Sequence, residues 1–174
     1  MVYEPAEDTY LLLKWAKKLA KGKILEMGCG TGIIAANVNA ALACDISSEV
    51  VQEAKKRYPH LNVIQSDLFE KIDGRFDTII FNPPYLPESP YDSQSDTTGG
   101  KEGYETIIRF LEQAREHLTD DGIILMVFSS LSKPSVILAK ARELGYEYEL
   151  LESINVGFER LFCCLFRLSD KKHI

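Results

Sequence analysis

Lys23–Gly32 reads KILEMGCGTG. A short run carrying three apolar residues stops at glycines spaced two apart, Gly28, Gly30 and Gly32. Glycine after a strand lets the backbone turn tightly and come close to a ligand. The helical sequence IIAAN follows at once. Strand, glycine turn and helix in that order open an α/β sheet, and such sheets hold ligands outside the carboxyl ends of their strands. The spacing GxGxG misses the dinucleotide fingerprint GxGxxG by one position, and the lysine and hydroxyl residue of a triphosphate loop are absent. On the glycines alone, a nucleoside-like ligand and a merely tight structural turn both stay open.

The same alternation continues outward. Upstream, Tyr10, Leu11, Leu12, Leu13, Trp15, Ala16 and Leu19 follow helical spacing, which predicts a helix over Glu7–Leu19 capped by Asp8 or Thr9 and ended at Lys21-Gly22. Downstream, strands are expected at Ala41–Asp45, Asn62–Asp67 and, in RFDTIIF, up to Phe81, with a helix from Ser47 or Ser48 to about Tyr58. A helix over Tyr104–Leu118, a turn at Asp120–Gly122, the apolar strand IILMVFSS and a helix over Pro134–Leu144 come next. Tyr146–Ser153 and Glu159–Leu168 close the sheet as a hairpin around Asn155–Phe158. The prediction is a three-layer αβα sandwich around a mainly parallel seven-stranded sheet with an antiparallel last strand, in one domain over residues 1–174. Leu86–Gly103 is polar and long for a plain connector, a length that points to function or mobility.

Composition narrows the partners. The chain has 174 residues, and its 26 acidic against 20 basic residues give a formal net charge of -6. That balance works against sequence-independent grip on a phosphate backbone and favours a protein or small-molecule substrate. Cys29, Cys44, Cys163 and Cys164 form no CxxC pair, and His60, His117 and His173 are scattered, so no metal site is expected and the thiols read as buried structural groups. The first residues lack the blocks of a signal peptide and no run is long enough for a membrane span, which makes the cytoplasm the expected location.

Four expected strand ends converge: Glu26–Gly32, Asp45, Asp67 and Asn82. A carboxylate such as Asp45 at the second strand end can accept both hydroxyls of a ribose, although a single aspartate there is more often a helix cap or turn former. Asn82-Pro83-Pro84-Tyr85 follows TIIF. Two prolines remove two amide donors, so the turn presents carbonyl oxygens, and Asn82 adds a side-chain carbonyl. A planar –NH2 would find two acceptors there, with Tyr85 over or under it. The bland alternative is a rigid turn with a surface tyrosine.

With these residues in view, the chain resembles class I S-adenosylmethionine-dependent methyltransferases acting on nitrogen, which implies their Rossmann-like sheet. VYEPAEDTYLLL at Val2–Leu13, DLFE at Asp67–Glu70 and FNPPYLP at Phe81–Pro87 are similar to the release factor glutamine N5-methyltransferases, in the short archaeal and eukaryotic branch. The resemblance implies methylation of the GGQ glutamine of a class I peptide chain release factor. It implies cofactor contacts at Thr9 by the methionine carboxylate, Glu26, Gly28 and Gly30 around the turn, Asp45 at the ribose, and Asp67 and Leu68 at the adenine. Asn82, also near the cofactor, and the Pro83 carbonyl would hold the substrate amide, with Tyr85 packed on it. It also implies a small activator subunit that carries its own zinc. NPPY is shared with adenine-N6 methyltransferases of DNA and RNA, an alternative that the acidic balance and missing nucleic-acid module disfavour. A cofactor-binding but inactive partner subunit is a third reading.

One departure stands out. Only 12 residues separate Gly32 from Asp45, so the first crossover helix is expected to shrink to one or two turns and to loosen the ribose contact of Asp45.

Overall fold

The computed structural model describes residues 4–84 and 103–169. Helix α1 (Glu7–Leu19) precedes β1 (Ile24–Met27), α2 (Ile33–Val38), β2 (Leu42–Asp45), α3 (Ser48–Arg57), β3 (Val63–Gln65) and β4 (Phe76–Phe81). After the connector come α4 (Glu105–Ala114), β5 (Leu118–Ser129), α5 (Pro134–Glu143), β6 (Tyr146–Val156) and β7 (Glu159–Leu168). Tyr85 and nearly all of the predicted connector lie outside the described residues.

The seven strands form one sheet in the order β3-β2-β1-β4-β5-β7-β6. β3 through β5 pair in parallel, while β7 runs antiparallel to both β5 and β6. Helices cover both faces. Ile107, Phe110 and Leu111 of α4 and Ile137 and Ala141 of α5 pack with Leu25, Ile79, Phe81, Met126 and Cys164. On the other face Leu11, Leu12 and Ala16 of α1 and Ile34 of α2 pack with Ile80, Leu125, Val127 and Cys163. Side chains alternate across a strand, so adjacent Cys163 and Cys164 enter opposite halves of the core. Both are buried in an interior strand, and Cys44 of β2 and Cys29 in the turn after β1 are buried too. β7 is an interior strand, because β6 forms the edge of the sheet.

Three local expectations change. Neither Asp8 nor Thr9 caps α1: Ala6 holds that position without a side-chain bond, and both residues are buried inside the first turn. The turn at Asp120–Gly122 is a bulge within β5, where the register with β4 jumps from Phe76↔Leu118 to Thr78↔Ile123. β6 runs three residues past Ser153, because a bulge at Leu151 resets its pairing with β7. That bulge re-aims the strand, and Glu152 accepts from both Lys14 and Trp15 of α1 at 2.8 Å. The helix is thereby tied across the sheet to the far edge.

Among the described residues, no helix is long and apolar enough to cross a membrane, and no group of three His, Cys, Asp or Glu side chains could hold a metal ion.

Candidate active site

β1 and β4 lie side by side with Met27 opposite Phe81. The chain leaves β1 toward β2 and leaves β4 toward β5, so the sheet order reverses between them. A crevice opens at such a reversal, beyond the carboxyl ends of the strands. The residues that follow the two strands are Gly28 and Asn82. A side-chain carbon at Gly28 would lie 3.3 Å from the Phe81 ring and 3.9 Å from the Asn82 carbonyl. Gly30 has φ +53°, and a side chain there would meet nothing within 4 Å. The turn is therefore tight on its sheet side and open on its outer side.

The shortened crossover is real: α2 has six residues. It nevertheless delivers Asp45 to the turn, where one carboxylate oxygen accepts from the Gly30 amide at 3.2 Å and the other from the Ser47 amide at 3.1 Å. Two backbone donors pin the carboxylate. Beneath the turn Glu26 is buried and accepts from the Ala35 amide at 2.9 Å. Gly32 offers α2 no capping side chain, and Glu26 satisfies one of the amides the helix start leaves over. Burial pushes the Glu26 carboxyl well above its ordinary range; the Ala35 N–H works against this, and the charge of Asp45 adds to it.

Asp67 lies two residues beyond the end of β3 rather than on it. Leu68 adopts φ +49°, a left-handed conformation that costs an ordinary residue about 1–2 kcal/mol. Ser66 supports it: the buried hydroxyl donates to the Leu68 carbonyl at 2.7 Å and accepts from the Lys71 amide at 3.0 Å. Sequence reasoning missed Ser66, since a serine before Asp-Leu carries only an ordinary turn signal. Asp67 pairs with Arg109 of α4 at 3.5 Å on the wall of an open groove shared with Phe69, Gln113 and His117.

Asn82 closes the site. Its side-chain nitrogen donates to Asp8 at 3.2 Å, while its side-chain oxygen is buried and has no hydrogen-bond partner among the described residues. A buried acceptor left unsatisfied costs about 1–3 kcal/mol and calls for an explanation. Pro83, next in the chain, is buried and supplies no N–H. Phe81 behind them packs against Phe110 of α4 with the rings tilted by 35° and their centres 4.3 Å apart. Thr9 is brought to this corner beside Asp8, its amide donating to the Asp8 carboxylate at 2.9 Å. Thus Thr9, Glu26, Gly28, Gly30, Asp45 and Asn82 meet around the β1 and β4 ends. Asp67 and Leu68 stand beyond β3, and Tyr85 is outside the described residues.

A pinned carboxylate, a glycine turn open on its outer side and a buried amide oxygen with no partner among the described residues thus stand beyond the ends of β2, β1 and β4. The protein is an S-adenosylmethionine-dependent methyltransferase. Residues 6–144 match the family model for the methyltransferase small domain, and the chain belongs to that family. It is 37% identical over 175 residues to a Methanocaldococcus jannaschii protein provisionally named a protein N5-glutamine methyltransferase, covering 92% of this chain and 88% of that one. Methyltransferase HEMK2 of Homo sapiens is 30% identical over 193 residues, covering 97% and 90%. Among solved structures, a chain of the E. cuniculi Mtq2–Trm112 complex, responsible for methylating the translation termination factor eRF1, superposes with a TM-score of 0.82 at 24% identity, covering 97% and 99%. That likeness concerns the fold.

Proposed function

We propose that the chain methylates the side-chain nitrogen of the GGQ glutamine in a class I peptide chain release factor. The observation that carries this reading is the buried, unpartnered Asn82 oxygen beside the glycine turn. It is an acceptor held ready for a donor that the described residues do not supply. The names borne by the relatives support glutamine as the side chain that supplies it.

S-adenosylmethionine brings an electrophilic methyl group on a sulfonium. Thr9 would lie by its methionine carboxylate, Glu26, Gly28 and Gly30 along its middle, Asp45 at its ribose, and Asp67 and Leu68 at its adenine. An amide nitrogen is a weak nucleophile because its lone pair is delocalised. Asn82 Oδ1 and the Pro83 carbonyl take its two hydrogens, orient the lone pair and favour the positive charge that develops on nitrogen. Tyr85 is assigned to the flat group by the family resemblance alone. Holding the three reacting atoms in line lowers the remaining barrier. The sulfur–carbon bond would break as the nitrogen–carbon bond forms, leaving a neutral thioether. The nitrogen, acidic only once the new bond has begun to form, would release its proton to solvent, so no strong base is required.

Residues 1–174 would act as one domain in the cytoplasm, assisted by a small zinc-binding activator subunit. The test is transfer of labelled methyl to a purified archaeal or eukaryotic release factor, with and without such a subunit. Incorporation should vanish when the GGQ glutamine is replaced by alanine. Label that persists would overturn the glutamine assignment, and label appearing in RNA or DNA instead would favour adenine.

A further inference from the structure

The Asn82 amide has two ends, and only one of them suits a substrate –NH2. Presented oxygen-first it accepts a hydrogen bond; presented nitrogen-first it sets donor against donor. Rotation about the last side-chain bond exchanges the two at little intrinsic cost, so something must choose.

We propose that Asp8 is a positioning residue for methyl transfer, clamping the Asn82 amide by its nitrogen so that only the oxygen faces the substrate. This rests on the reading that Asn82 binds the substrate nitrogen. Asp8 is 4% exposed and stands in the first turn of α1, where the helix dipole favours a carboxylate. One of its oxygens takes the Thr9 amide at 2.9 Å, which fixes the rotamer. The other takes the Asn82 nitrogen at 3.2 Å. A carboxylate only accepts, so the Asn82 atom turned toward it has to be the nitrogen, and the oxygen is left buried and without a partner among the described residues. The helix that carries Asp8 is anchored far from the site, by Leu11, Leu12 and Ala16 in the core and by Glu152 on β6.

This arrangement makes an unusual demand on the isosteric variant Asp8→Asn. The Thr9 amide still needs the acceptor at its end, so the new side chain turns its –NH2 toward Asn82. Asn82 must then rotate, giving its oxygen to position 8 and its nitrogen to the substrate. Asp8→Asn should therefore lower kcat at least as far as Asp8→Ala does, about 10- to 100-fold, the range seen when a group supporting a site residue is removed. The KM for the release factor should stay within about threefold, since Asn82 assists the transfer rather than the ground-state docking.

The experiment combines Asp8→Asn, Asp8→Ala, Asn82→Ala and the double variants, assayed at saturating S-adenosylmethionine with the activator subunit present. In the Asn82→Ala background, Asp8→Asn should change kcat no further, because a residue acting through another is non-additive with it. Additive losses, or an Asp8→Asn enzyme with ordinary kcat, overturn the clamp. An Asn82→Ala enzyme of ordinary kcat overturns the Asn82 reading itself, so the two failures are distinguishable. Side-chain amide spectra of the selectively 15N-asparagine-labelled chain give a readout independent of activity. The Asn82 –NH2 pair, assigned by its loss in Asn82→Ala, should exchange slowly in the parent and at a solvent-like rate in Asp8→Ala. Solvent-like exchange in the parent overturns the proposal.

Discussion

The Gly30 amide donates to the Asp45 carboxylate across 3.2 Å, tying the turn after β1 to the end of β2. Crossing between these strands in so few residues leaves a helix of barely two turns, yet the pair still meets. The reason lies in the register: Met27 stands opposite Cys44, and the Cys29 amide donates to the Cys44 carbonyl at 2.9 Å. The ladder continues one step past β1 and brings the turn alongside Asp45. Replacing Asp45 with alanine should weaken S-adenosylmethionine binding about tenfold or more, equivalent to roughly 1.4 kcal/mol or more. Titration calorimetry would measure it, and an unchanged Kd would remove Asp45 from the ribose.

Asn82→Ala should retain cofactor affinity and lose turnover. Removing one preorganised hydrogen-bonding group from a developing charge costs about 10²–10³ in kcat. Cofactor titration beside a methyl-transfer assay separates the two effects. A variant that lost cofactor binding while transferring normally once saturated would contradict the role assigned to Asn82.

Glu26→Gln should stabilise the fold, increasingly so as pH rises. Burial raises the folded-state carboxyl above its ordinary value of 4.5. Above that pH the unfolded chain gives up the proton while the folded chain holds it, so stability falls as pH climbs through the folded value. Glutamine does not titrate, and its amide oxygen still accepts from Ala35. Melting temperatures of parent and variant should nearly coincide at pH 4 and diverge by pH 8 in favour of the variant. Cofactor affinity should fall in exchange. Divergence in the opposite sense would mean that the carboxylate is stabilised where it lies.

The thiols should be silent in the native state. Burial pushes Cys44, Cys163 and Cys164 up to about 12, and Cys29 higher still. Thiolate is the reactive form, so a thiol reagent at pH 8 should modify them only as fast as the protein opens, and promptly in denaturant. The same shifts make the fold lose stability as pH rises from about 9 toward 12, where the unfolded thiols ionise and the folded ones do not. Fast labelling of the native chain would place at least one cysteine at the surface.

Much of the fold was readable because its signals are local. The apolar stripe of α1 predicts Glu7–Leu19, and the structure has those bounds. The seven strands and the reversed end of the sheet were likewise legible from apolar runs and turn residues. The misreadings share a cause: Asp8, Asp120–Gly122 and Ser153 all carry ordinary cap, turn or end signals, and tertiary contacts put them to other uses. A cap aspartate and a buried clamp look the same in sequence, and the partner that distinguishes them, Asn82, is 74 residues away.

The order of apolar runs and glycines was enough to determine the layered sheet, the glycine turn and the proline-stiffened segment after β4, because each follows from residue type and spacing. Tertiary structure alone decided which atoms face one another: the Asp45 oxygen on the Gly30 amide, the left-handed Leu68 held by Ser66, and the nitrogen of Asn82 turned to Asp8. Hydrogen bonds depend on distance and direction in space, and chain order specifies neither until the sheet has been assembled.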